Sequence, residues 1–586
     1  MTPARPEARA RFARVRGLVS QRSHLADLAQ RAALRFPRLR DAVVRVARGD
    51  SGQRYEEWIA AYDTVGDVQL AAVAETRRSF SIVVPDSRRE AVDRFDDCDV
   101  SVVAASDPEE WNAALRQSTA EHCLVLDPAV ELRPHALAFF AQAIEDAPDA
   151  FLFYADEDVI DRQGRRSRHD FKPDWNEALF RSQNYLGGVV CFRRTRAIDV
   201  GGCEAQLDGD CLWGLLLKLT AGAPAGSVRH LPFVLSHRWG DEPRPEPRDR
   251  VATAVEQRLG RVGDDAEVEP VGEAGYLVRY PLRESPKVSI VVPSTAKPDV
   301  LGPCVDGILQ RTSYADLELL VVANGVPEGA EASRALLRAI ADDARVDVLF
   351  YEDGPYNFSA LNNWAAERAH GEFLCFLNDD TEVIESGWLG ALVGEALRDR
   401  VAAVGALLLY ANGRIQHAGC ILGAGGVAAN AYHGSPGGTS GYHGRALVAQ
   451  DVSAVTAACM LVKRAEFLAV GGFDEELAVA YNDVDLCLRL RNAGRRIVWT
   501  PAASLRHDEG ASLRRHYAGE TRAEWARGSD LMQHRWGDQL LADPYYNPNL
   551  SLDPLLLWEP AFPPRVGRAR SPAEADPPIR PVVAAD

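Results

Sequence analysis

The sequence predicts an α/β protein made of two tandem domains, each built around a mostly parallel central sheet. Two apolar runs, SFSIVVPDS at 79–87 and KVSIVVPST at 287–295, begin alike and have the continuous β-branched character of strands buried on both faces. Each is followed by a second apolar run, a helical pattern and a third apolar run. Because this order of elements occurs twice, we expect two copies of one domain.

The two copies can be placed in register without a gap. WNAALRQSTAEHCLVLDPAVEL at 111–132 aligns with NNWAAERAHGEFLCFLNDDTEV at 362–383, which sets Asn112 against Asn363 and Asp127 against Asn378. In both segments a helical pattern leads into an apolar strand. The strand then ends in polar residues, and these residues differ between the copies.

Changes of composition divide the chain into six segments. We expect a basic helical N-terminal arm at 1–54, the first α/β domain at 55–245, a Pro- and charge-rich linker at 246–284, the second α/β domain at 285–510, a helical extension at 511–560 and a tail at 561–586 whose composition favours disorder.

Composition and charge restrict the class of protein. The 586 residues carry a formal net charge of −18, which argues against nucleic acid as the main partner. No apolar run reaches the length of a membrane span, and Arg residues stand where a signal peptide needs its apolar core, so we expect a cytoplasmic protein. The ten cysteines are scattered and form no zinc or disulfide pattern.

The first fifty residues depart from the acidic composition of the rest, with twelve Arg against four acidic residues. Such an arm could contact the anionic cytoplasmic face of a membrane. A solvated arm without a partner is the alternative.

The strand FLCFL is followed directly by Asn378, Asp379 and Asp380. Ligands of open α/β sheets bind at the carboxyl ends of strands. Two adjacent carboxylates there repel each other unless a cation or a set of donors compensates, and oxygen ligands favour Mg²⁺ or Mn²⁺. By itself the motif could equally be a turn or a helix cap, and it lacks the spacing of an EF-hand.

Further downstream, the segment YNDVDLCLRLRNAG places Asp483 and Asp485 at the predicted start of a helix, and LRHDEGAS contains His507. Asp485 has a second explanation, because an ion pair with Arg489 one helical turn later would make it structural.

Taken in order, the motifs VSIVVPS, VVANG, YNFSALNN, FLNDD, GRIQHAGCILGAGG, VGGFDE, YNDVDLCLRLRNAG and LRHDEGAS resemble the family-2 inverting glycosyltransferases of bacteria. The likeness is greatest to two-domain, rhamnosyltransferase-like members that build O-antigen and other surface polysaccharides. It covers nearly all of 285–510 and extends more weakly over 80–240. The resemblance implies tandem GT-A folds, a nucleotide-sugar donor, a glycan or lipid-linked glycan acceptor and a divalent cation.

The resemblance also implies roles for individual residues. Asp483 falls on the catalytic base, and Asp380 and His507 fall on metal ligands, although Asn378 stands where the family motif begins with Asp. The expected nucleotide-sugar-binding residues are Pro293, Ser294, Asn324, Asn362, Asn378 and Asp379. The expected acceptor or pocket residues are Gln416, His417, Trp388 and Asp485.

The first copy has lost the residues that carry this chemistry. Ala129 stands at the position of Asp380 and Leu212 at that of Asp483, so we interpret the first domain as a degenerate copy. The alternative is an active first domain that uses Asp156 or Asp158.

The expected function is therefore transfer of a sugar, for which the family likeness suggests rhamnose, to a hydroxyl in cell-surface polysaccharide synthesis. A glycan-binding scaffold and a sugar nucleotidyltransferase are the alternatives, although VVPSTAKPDVLGP lacks the Gly-rich, Arg-bearing loop that a nucleotidyltransferase needs. The Gly-rich stretch at 423–444 has the composition of a mobile flap over the acceptor.

Overall fold

Both halves of the chain are built on a mixed α/β sheet. The computed structural model describes residues 51–63, 80–84, 100–104, 108–127, 129–204, 211–240, 249–261, 265–273, 275–352, 356–508 and 520–566, with a few single positions between them. Most of the basic arm, and the tail beyond residue 566, lie outside the described residues, and so does the predicted membrane contact of the arm.

The elements of the first unit are, in chain order, α1 (Ser51–Tyr62), β1 (Phe80–Val84), β2 (Val100–Ala104), α2 (Pro108–Gln117), β3 (His122–Leu126), β4 (Val130–Leu132), α3 (Ala136–Asp146), β5 (Leu152–Ile160), β6 (Arg166–Asp170), α4 (Glu177–Ser182), β7 (Val189–Arg193), α5 (Arg194–Asp199), α6 (Cys211–Thr220), β8 (Val228–Trp239), α7 (Asp249–Arg261), β9 (Glu267–Val271) and β10 (Gly275–Arg279).

The elements of the second unit and its extension are β11 (Val288–Ser294), α8 (Pro298–Arg311), β12 (Leu317–Ala323), α9 (Glu331–Ile340), β13 (Val346–Phe350), α10 (Phe358–Arg368), β14 (Phe373–Leu377), β15 (Thr381–Val383), α11 (Trp388–Ala396), β16 (Val401–Leu409), β17 (Ile415–His417), β18 (Cys420–Leu422), β19 (Ala428–Asn430), β20 (Gln450–Asp451), β21 (Cys459–Lys463), α12 (Arg464–Ala469), α13 (Asn482–Asn492), β22 (Arg496–His507) and α14 (Glu520–Trp536).

The two large sheets have corresponding strand orders within the described residues. The first runs β2-β1-β3-β7-β5-β8-β4, and the second runs β12-β11-β14-β21-β16-β22-β15 with β13 added outside β12. In both units the short strand that comes next in the chain after β3 or β14 pairs at the far end of its sheet, as β4 on β8 and as β15 on β22.

The sheets are mixed rather than mostly parallel, although the second half of each also contains one parallel pair, β5–β8 and β16–β22. The pairs β1–β2, β1–β3, β11–β12 and β11–β14 are parallel, as expected. However, β7 and β21 enter antiparallel to both of their neighbours. A central strand covered on both faces is continuously apolar in either direction, so its hydrophobic pattern does not report its polarity.

The same side-chain contact recurs in both units at the position where the sequence set Asn112 against Asn363. Asn363 donates from Nδ2 to the Phe473 carbonyl and accepts from the Phe473 N–H, both at 2.8 Å. Asn112 makes the equivalent pair with Cys203, at 2.9 and 2.8 Å. Cys203 follows Gly202 and Phe473 follows Gly472. Both glycines have positive φ, and their missing Cβ leaves room for the asparagine amide.

The segment 246–284, expected to be a linker, contains helix α7 and the antiparallel hairpin β9–β10. Val255 and Leu259 of α7 and Val268, Tyr276 and Val278 of the hairpin are buried in the core of the first unit. This segment is therefore part of the first unit. The predicted boundary at residue 54 also falls inside a helix, because α1 begins at Ser51.

Polar contacts fix one unit against the other. Asn176 exchanges two hydrogen bonds of 2.8 Å with the backbone of Asp451. The Asp451 carboxylate accepts from the N–H of Ala178 at 3.0 Å and from Arg496 Nε at 2.8 Å. These groups are buried, so their hydrogen bonds are needed to offset desolvation.

The C-terminal extension contacts both units. Asp543 accepts from the N–H of Leu422 at 2.8 Å in the second unit. Asn547 donates at 3.0 Å to both carboxylate oxygens of Asp156 in the first unit. The extension therefore packs on both units. Among the described residues, no helix combines the length and apolarity that crossing a bilayer requires.

Replacing Asn363 by Ala should lower the free energy of unfolding by about 1–3 kcal/mol, because a buried backbone N–H and C=O would lose their partner. Asn112→Ala should cost a similar amount. Equilibrium denaturant unfolding measures both, with Asn412→Ala in an exposed turn as the matched control. Stabilities equal to that of the control would show that the two contacts do not hold these turns.

Candidate functional site

A cavity of about 1890 Å³ opens at the carboxyl ends of β11, β12 and β14. It also reaches the amino end of α13 and the C-terminal extension. Its lining includes the following residues for which the sequence predicts a role: Pro293, Ser294, Asn324, Asn378, Asp379, Gln416, His417, Asp483 and His507. Most of the candidate residues therefore meet at one place.

The ends of β11 and β14 are joined by a short hydrogen bond. Ser294 donates from Oγ to Asp379 Oδ2 at 2.6 Å and accepts from the N–H of Ala296 at 2.9 Å. Burial, partly offset by the Ser294 hydrogen bond, raises the pKa of Asp379 to about 6, and the neighbouring Asp380 carboxylate adds to the increase. The N–H of Asn324, at the end of β12, donates to the Ser294 carbonyl at 3.0 Å.

Asp380 and His507 form the deepest polar pair of the site. Asp380 Oδ1 lies 2.9 Å from His507 Nε2, and the two side chains are only 4% and 7% exposed. His507 Nδ1 lies 2.6 Å from Gln416 Oε1, which is an acceptor, so the imidazole carries a proton on Nδ1. Nε2 lies 3.2 Å from Asn378 Nδ2, which donates to it.

This pair has the features of a cation site. Asp380 Oδ1 is buried and accepts no hydrogen bond from the described residues. In the neutral imidazole, Nε2 and Oδ1 are two electron-rich atoms in contact, and a proton or a metal ion between them would relieve their repulsion. Among the described residues no group of three or more His, Cys, Asp or Glu is placed to hold a metal. A cation here would complete its coordination with substrate oxygens and water.

Asp483 stands in the first turn of α13, where the sequence predicts a helix start. It is half-buried; Oδ1 accepts from the N–H of Val484 at 2.8 Å and Oδ2 from the N–H of Ala457 at 3.1 Å. Burial raises the pKa of Asp483 above the ordinary 3.8. Tyr481, just before the helix, has φ +63°, an uncommon left-handed conformation for a non-glycine residue.

Asp485 points away from Asp483 into a separate cluster of charges. Its fully buried carboxylate accepts from Arg489 Nε at 2.7 Å, Arg535 Nη1 at 2.7 Å and Trp536 Nε1 at 3.0 Å. The ion pair with Arg489 that the sequence offered as an alternative is therefore present. Because Arg535 and Trp536 belong to α14, the cluster fastens the extension to the helix that carries Asp483.

Gln416 and His417, on β17, contact different neighbours. Gln416 orients His507, as described above. His417 lies 2.8 Å from Asn430 Oδ1 through Nδ1, and Nε2 accepts from the N–H of Thr456 at 3.4 Å. Burial lowers the pKa of His417 to about 4, so the ring is neutral and supports the loop that presents the N–H of Ala457 to Asp483.

Four of the residues proposed from the sequence do not line this cavity: Asp380, Asp485, Trp388 and Asn362. Asp380 contacts His507, which does line it, and Asp485 lies in the charge cluster described above. Trp388 is fully buried in the core of the second unit and donates from Nε1 to Thr312 Oγ1 at 3.0 Å. Asn362 is fully buried on α10 and donates to the Phe358 carbonyl at 2.8 Å.

The structure adds residues to the cavity wall that sequence reasoning missed. Lys297 lines the cavity and its charge acts on Asp379. A lysine shortly after the first strand was a usable signal, since it is one of few in the chain. Tyr481, Trp525 and Trp558 also line the cavity. Their sequence context gives no sign of this, because two of them come from the extension.

The corresponding strand ends of the first unit hold different groups. The β4–β8 register sets Arg238 opposite Val130, whereas β15–β22 sets His507 opposite Thr381. Ala129 thus lies beside Arg238 at the place where Asp380 lies beside His507. The Arg238 guanidinium lies 3.4 Å from Asp127 Oδ1.

The acidic residues 156–158 of the first unit are engaged in buried contacts. Asp158 accepts from Tyr55 Oη at 2.6 Å and from Arg166 Nε at 2.7 Å, and it lies 2.5 Å from His237 Nδ1. Asp156 receives Asn547 of the extension. Neither carboxylate lines the described cavity.

The Gly-rich segment is not arranged as a free flap. Trp558 of the extension stacks between Tyr432 and Tyr442, with ring centroids 4.9 and 5.2 Å away. Tyr442 Oη donates at 2.9 Å to the carbonyl of His169 in the first unit. The segment is therefore held between the first unit and the extension.

Comparison with known proteins gives the second unit a clear relationship. Residues 286–528 match the family described as glycosyltransferase like family 2. The uncharacterized protein y4gI of Sinorhizobium fredii is 38% identical over 454 residues, which are 75% of this chain and 50% of that protein. The O-antigen biosynthesis protein RfbC of Myxococcus xanthus is 38% identical over 432 residues, which are 72% of this chain and 33% of RfbC.

A shorter match joins the chain to an N-acetylglucosaminyl-diphospho-decaprenol L-rhamnosyltransferase of Mycobacterium tuberculosis. The two are 38% identical over 74 residues, which are 13% of this chain and 24% of that protein. The chain spans half or less of the length of each of these three relatives.

Asp485→Ala should destabilise the protein by about 2–4 kcal/mol, because Arg489 and Arg535 would lose the buried carboxylate between them. Thermal unfolding and limited proteolysis of the extension measure the effect. The matched control is Glu466→Ala, which removes a partly exposed ion pair with Arg495 and should cost under about 1 kcal/mol. An effect no larger than that of the control would contradict the anchoring role.

Proposed function

We propose that this chain is an inverting, metal-dependent glycosyltransferase of the GT-A type, because residues 286–528 match the family described as glycosyltransferase like family 2 and form a mixed α/β unit. It moves a sugar from a nucleotide-sugar donor to a hydroxyl of a glycan or lipid-linked glycan. The observation that carries the proposal is the arrangement of one cavity, which is lined by the separate carboxylate of Asp483 and by His507, whose Nε2 contacts Asp380 at the end of β14.

The residues that would hold a divalent cation are Asp380 and His507. The buried Oδ1 of Asp380 and Nε2 of His507, the ring nitrogen that does not face Gln416, are donor atoms that suit Mg²⁺ or Mn²⁺, and the Asn378 amide now beside Nε2 would give way to the cation. Gln416 fixes the tautomer and orientation of His507, as partners of metal-binding histidines generally do. When bound, such a cation stabilises negative charge on the diphosphate that leaves the donor.

Donor binding is assigned to the ends of β11, β12 and β14. Ser294 and Asn324 present polar groups at adjacent strand ends, which is where nucleotides bind to open α/β sheets. Lys297 supplies a positive charge at the same wall of the cavity, suited to a phosphate group. The hydrogen bond from Ser294 holds Asp379 in place beside the cation pair.

Asp483 is proposed to act as the general base. It would take the proton from an acceptor hydroxyl while that oxygen attacks the anomeric carbon and the bond to the diphosphate breaks. One displacement on the face opposite the leaving group inverts the anomeric centre. The two hydrogen bonds that Asp483 accepts from backbone N–H groups hold its carboxylate in place. Its raised pKa makes it a stronger base than an exposed aspartate.

The names of two relatives support the substrate class. One relative is an O-antigen biosynthesis protein and another is an L-rhamnosyltransferase. We therefore propose rhamnose as the transferred sugar and a surface-polysaccharide glycan as the acceptor.

We propose that the first unit is a degenerate copy of the second. The corresponding strand orders and the paired contacts of Asn112 and Asn363 support a common origin. Ala129 and Arg238 at the cation position support the loss of metal binding, because a guanidinium supplies a fixed positive charge and binds no metal. The engaged carboxylates of 156–158 favour a structural role for this unit.

Asp380→Ala should abolish most sugar transfer and weaken Mn²⁺ binding by more than the roughly 10–100-fold that loss of an outer partner costs. Mn²⁺ binding is measured by electron paramagnetic resonance, and transfer by release of nucleoside diphosphate from a panel of nucleotide sugars. Asp127→Ala, at the strand end of the first unit, is the control and should leave both unchanged. Full transfer in excess chelator would overturn the metal assignment.

Asp483→Asn should lower kcat by roughly 10²–10⁴-fold while the affinity for nucleoside diphosphate stays unchanged, because only the proton acceptor is lost. In the wild type, the base must be ionised, so kcat/KM should fall as the pH drops through a pKa above 3.8. The residual kcat/KM of Asp483→Asn should not show this fall at low pH. Full transfer by the variant with a responsive donor and acceptor would refute the base assignment.

A further inference from the structure

An aromatic pair lies in the cavity next to the proposed base. Trp525 of α14 is 37% exposed and Tyr481 immediately precedes α13, and both line the cavity. Their ring centroids are 5.4 Å apart and the ring planes meet at 73°. Tyr481 is two residues from Asp483, so this pair lies on the side of the cavity where the acceptor hydroxyl has to arrive.

The position of Trp525 relative to the base is fixed by contacts of α14. Arg535 binds Asp485 of α13 at 2.7 Å and Asp474 at 2.5 Å. Gly528, one turn after Trp525, packs on residues 480–481: a Cβ there would be in ordinary van der Waals contact with the Ala480 carbonyl oxygen at 3.5 Å and the Tyr481 ring at 3.6 Å. The Trp525 ring is therefore held at the cavity by a helix anchored to the helix of the base.

Tyr481 is held in a costly conformation at this place. Its φ of +63° and ψ of 5° are left-handed, a conformation that non-glycine residues rarely adopt. Such strain persists only where the surroundings impose it, and it concentrates at functional sites. The conformation starts α13 and directs the Tyr481 ring toward Trp525.

The chemistry of the pair selects a kind of ligand. A pyranose ring has an apolar C–H face and a rim of hydroxyls. The C–H face is attracted by the negative face of an aromatic ring, and the rim needs acceptors such as the Glu524 carboxylate, which also lines the cavity. The nucleotide end of the cavity lies elsewhere, at the strand ends with Ser294 and Asn324.

We propose that Trp525 and Tyr481 form the subsite that binds the pyranose ring of the acceptor, with its nucleophilic hydroxyl at Asp483. This inference rests on the proposed function and adds the group that recognises the acceptor. The subsite is formed by the extension together with the start of α13, so the extension is a binding element of the proposed enzyme.

The test uses methyl pyranosides as probes: the rhamnoside, glucoside, mannoside and N-acetylglucosaminide. With full-length protein, Mn²⁺ and nucleoside diphosphate present, saturation-transfer NMR should show contact of at least one of them with the wild type. Trp525→Ala should weaken that binding by about five- to ten-fold or abolish it. Trp525→Phe should restore most of it.

Tyr481→Asn provides the second variant, because Asn tolerates the left-handed conformation and removes only the ring. It should also weaken pyranoside binding. The matched control is Phe562→Ala, which removes an exposed aromatic ring of the extension that does not line the cavity. It should leave pyranoside binding unchanged.

Release of nucleoside diphosphate from the donor in the absence of acceptor separates this proposal from the broader one. Trp525→Ala should leave this hydrolysis unchanged. A variant that loses pyranoside binding and donor hydrolysis equally would place Trp525 at the donor and overturn the subsite, as would a wild type that binds no methyl pyranoside. Failure of the wild type to turn over any nucleotide sugar would instead overturn the proposed function.

Discussion

The pairing of the short strand β15 on β22 decides what chemistry this fold can perform. Its register sets Thr381 opposite His507, and this brings His507 beside Asp380. The strand β14 supplies the rigid floor, because all five of its residues are buried and their side chains alternate between two core clusters. In the first unit the equivalent register of β4 on β8 is kept, yet it sets Val130 opposite Arg238, with Ala129 at the position that Asp380 has in the second unit. One backbone arrangement thus supports a candidate cation site in one unit and a fixed guanidinium in the other.

Local features of the site could be predicted from the sequence. The strand before Asn378, the helix that begins at Asn482 and the correspondence of Asn112 with Asn363 all follow from apolar periodicity and from comparison of the two repeats. These features depend on neighbours in the chain, for which hydrophobic pattern is informative. The ion pair of Asp485 with Arg489 could be anticipated for the same reason, since the two residues are one helical turn apart.

Features that depend on distant segments could not be predicted. The direction of β21 is invisible in its composition, and the contacts of Arg535 and Trp536 with Asp485 join residues about fifty positions apart. Trp388 was expected in the pocket although its ring packs in the core, because a tryptophan after a turn looks the same in both situations. The Gly-rich segment has the composition of a flap, yet stacking on Trp558 and the bond to His169 hold it in place.

The contact of Asn547 with Asp156 has a consequence for how the molecule is divided. The extension that carries Trp525 and Trp558 is anchored to both units. Its anchor in the first unit is the buried carboxylate of Asp156. One wall of the cavity is therefore secured by a domain whose own strand ends hold no candidate cation pair among the described residues. The piece of chain that forms and secures the cavity is accordingly larger than the fold repeat: it includes Val44, which lines the cavity, α1, whose Tyr55 holds Asp158, and the extension.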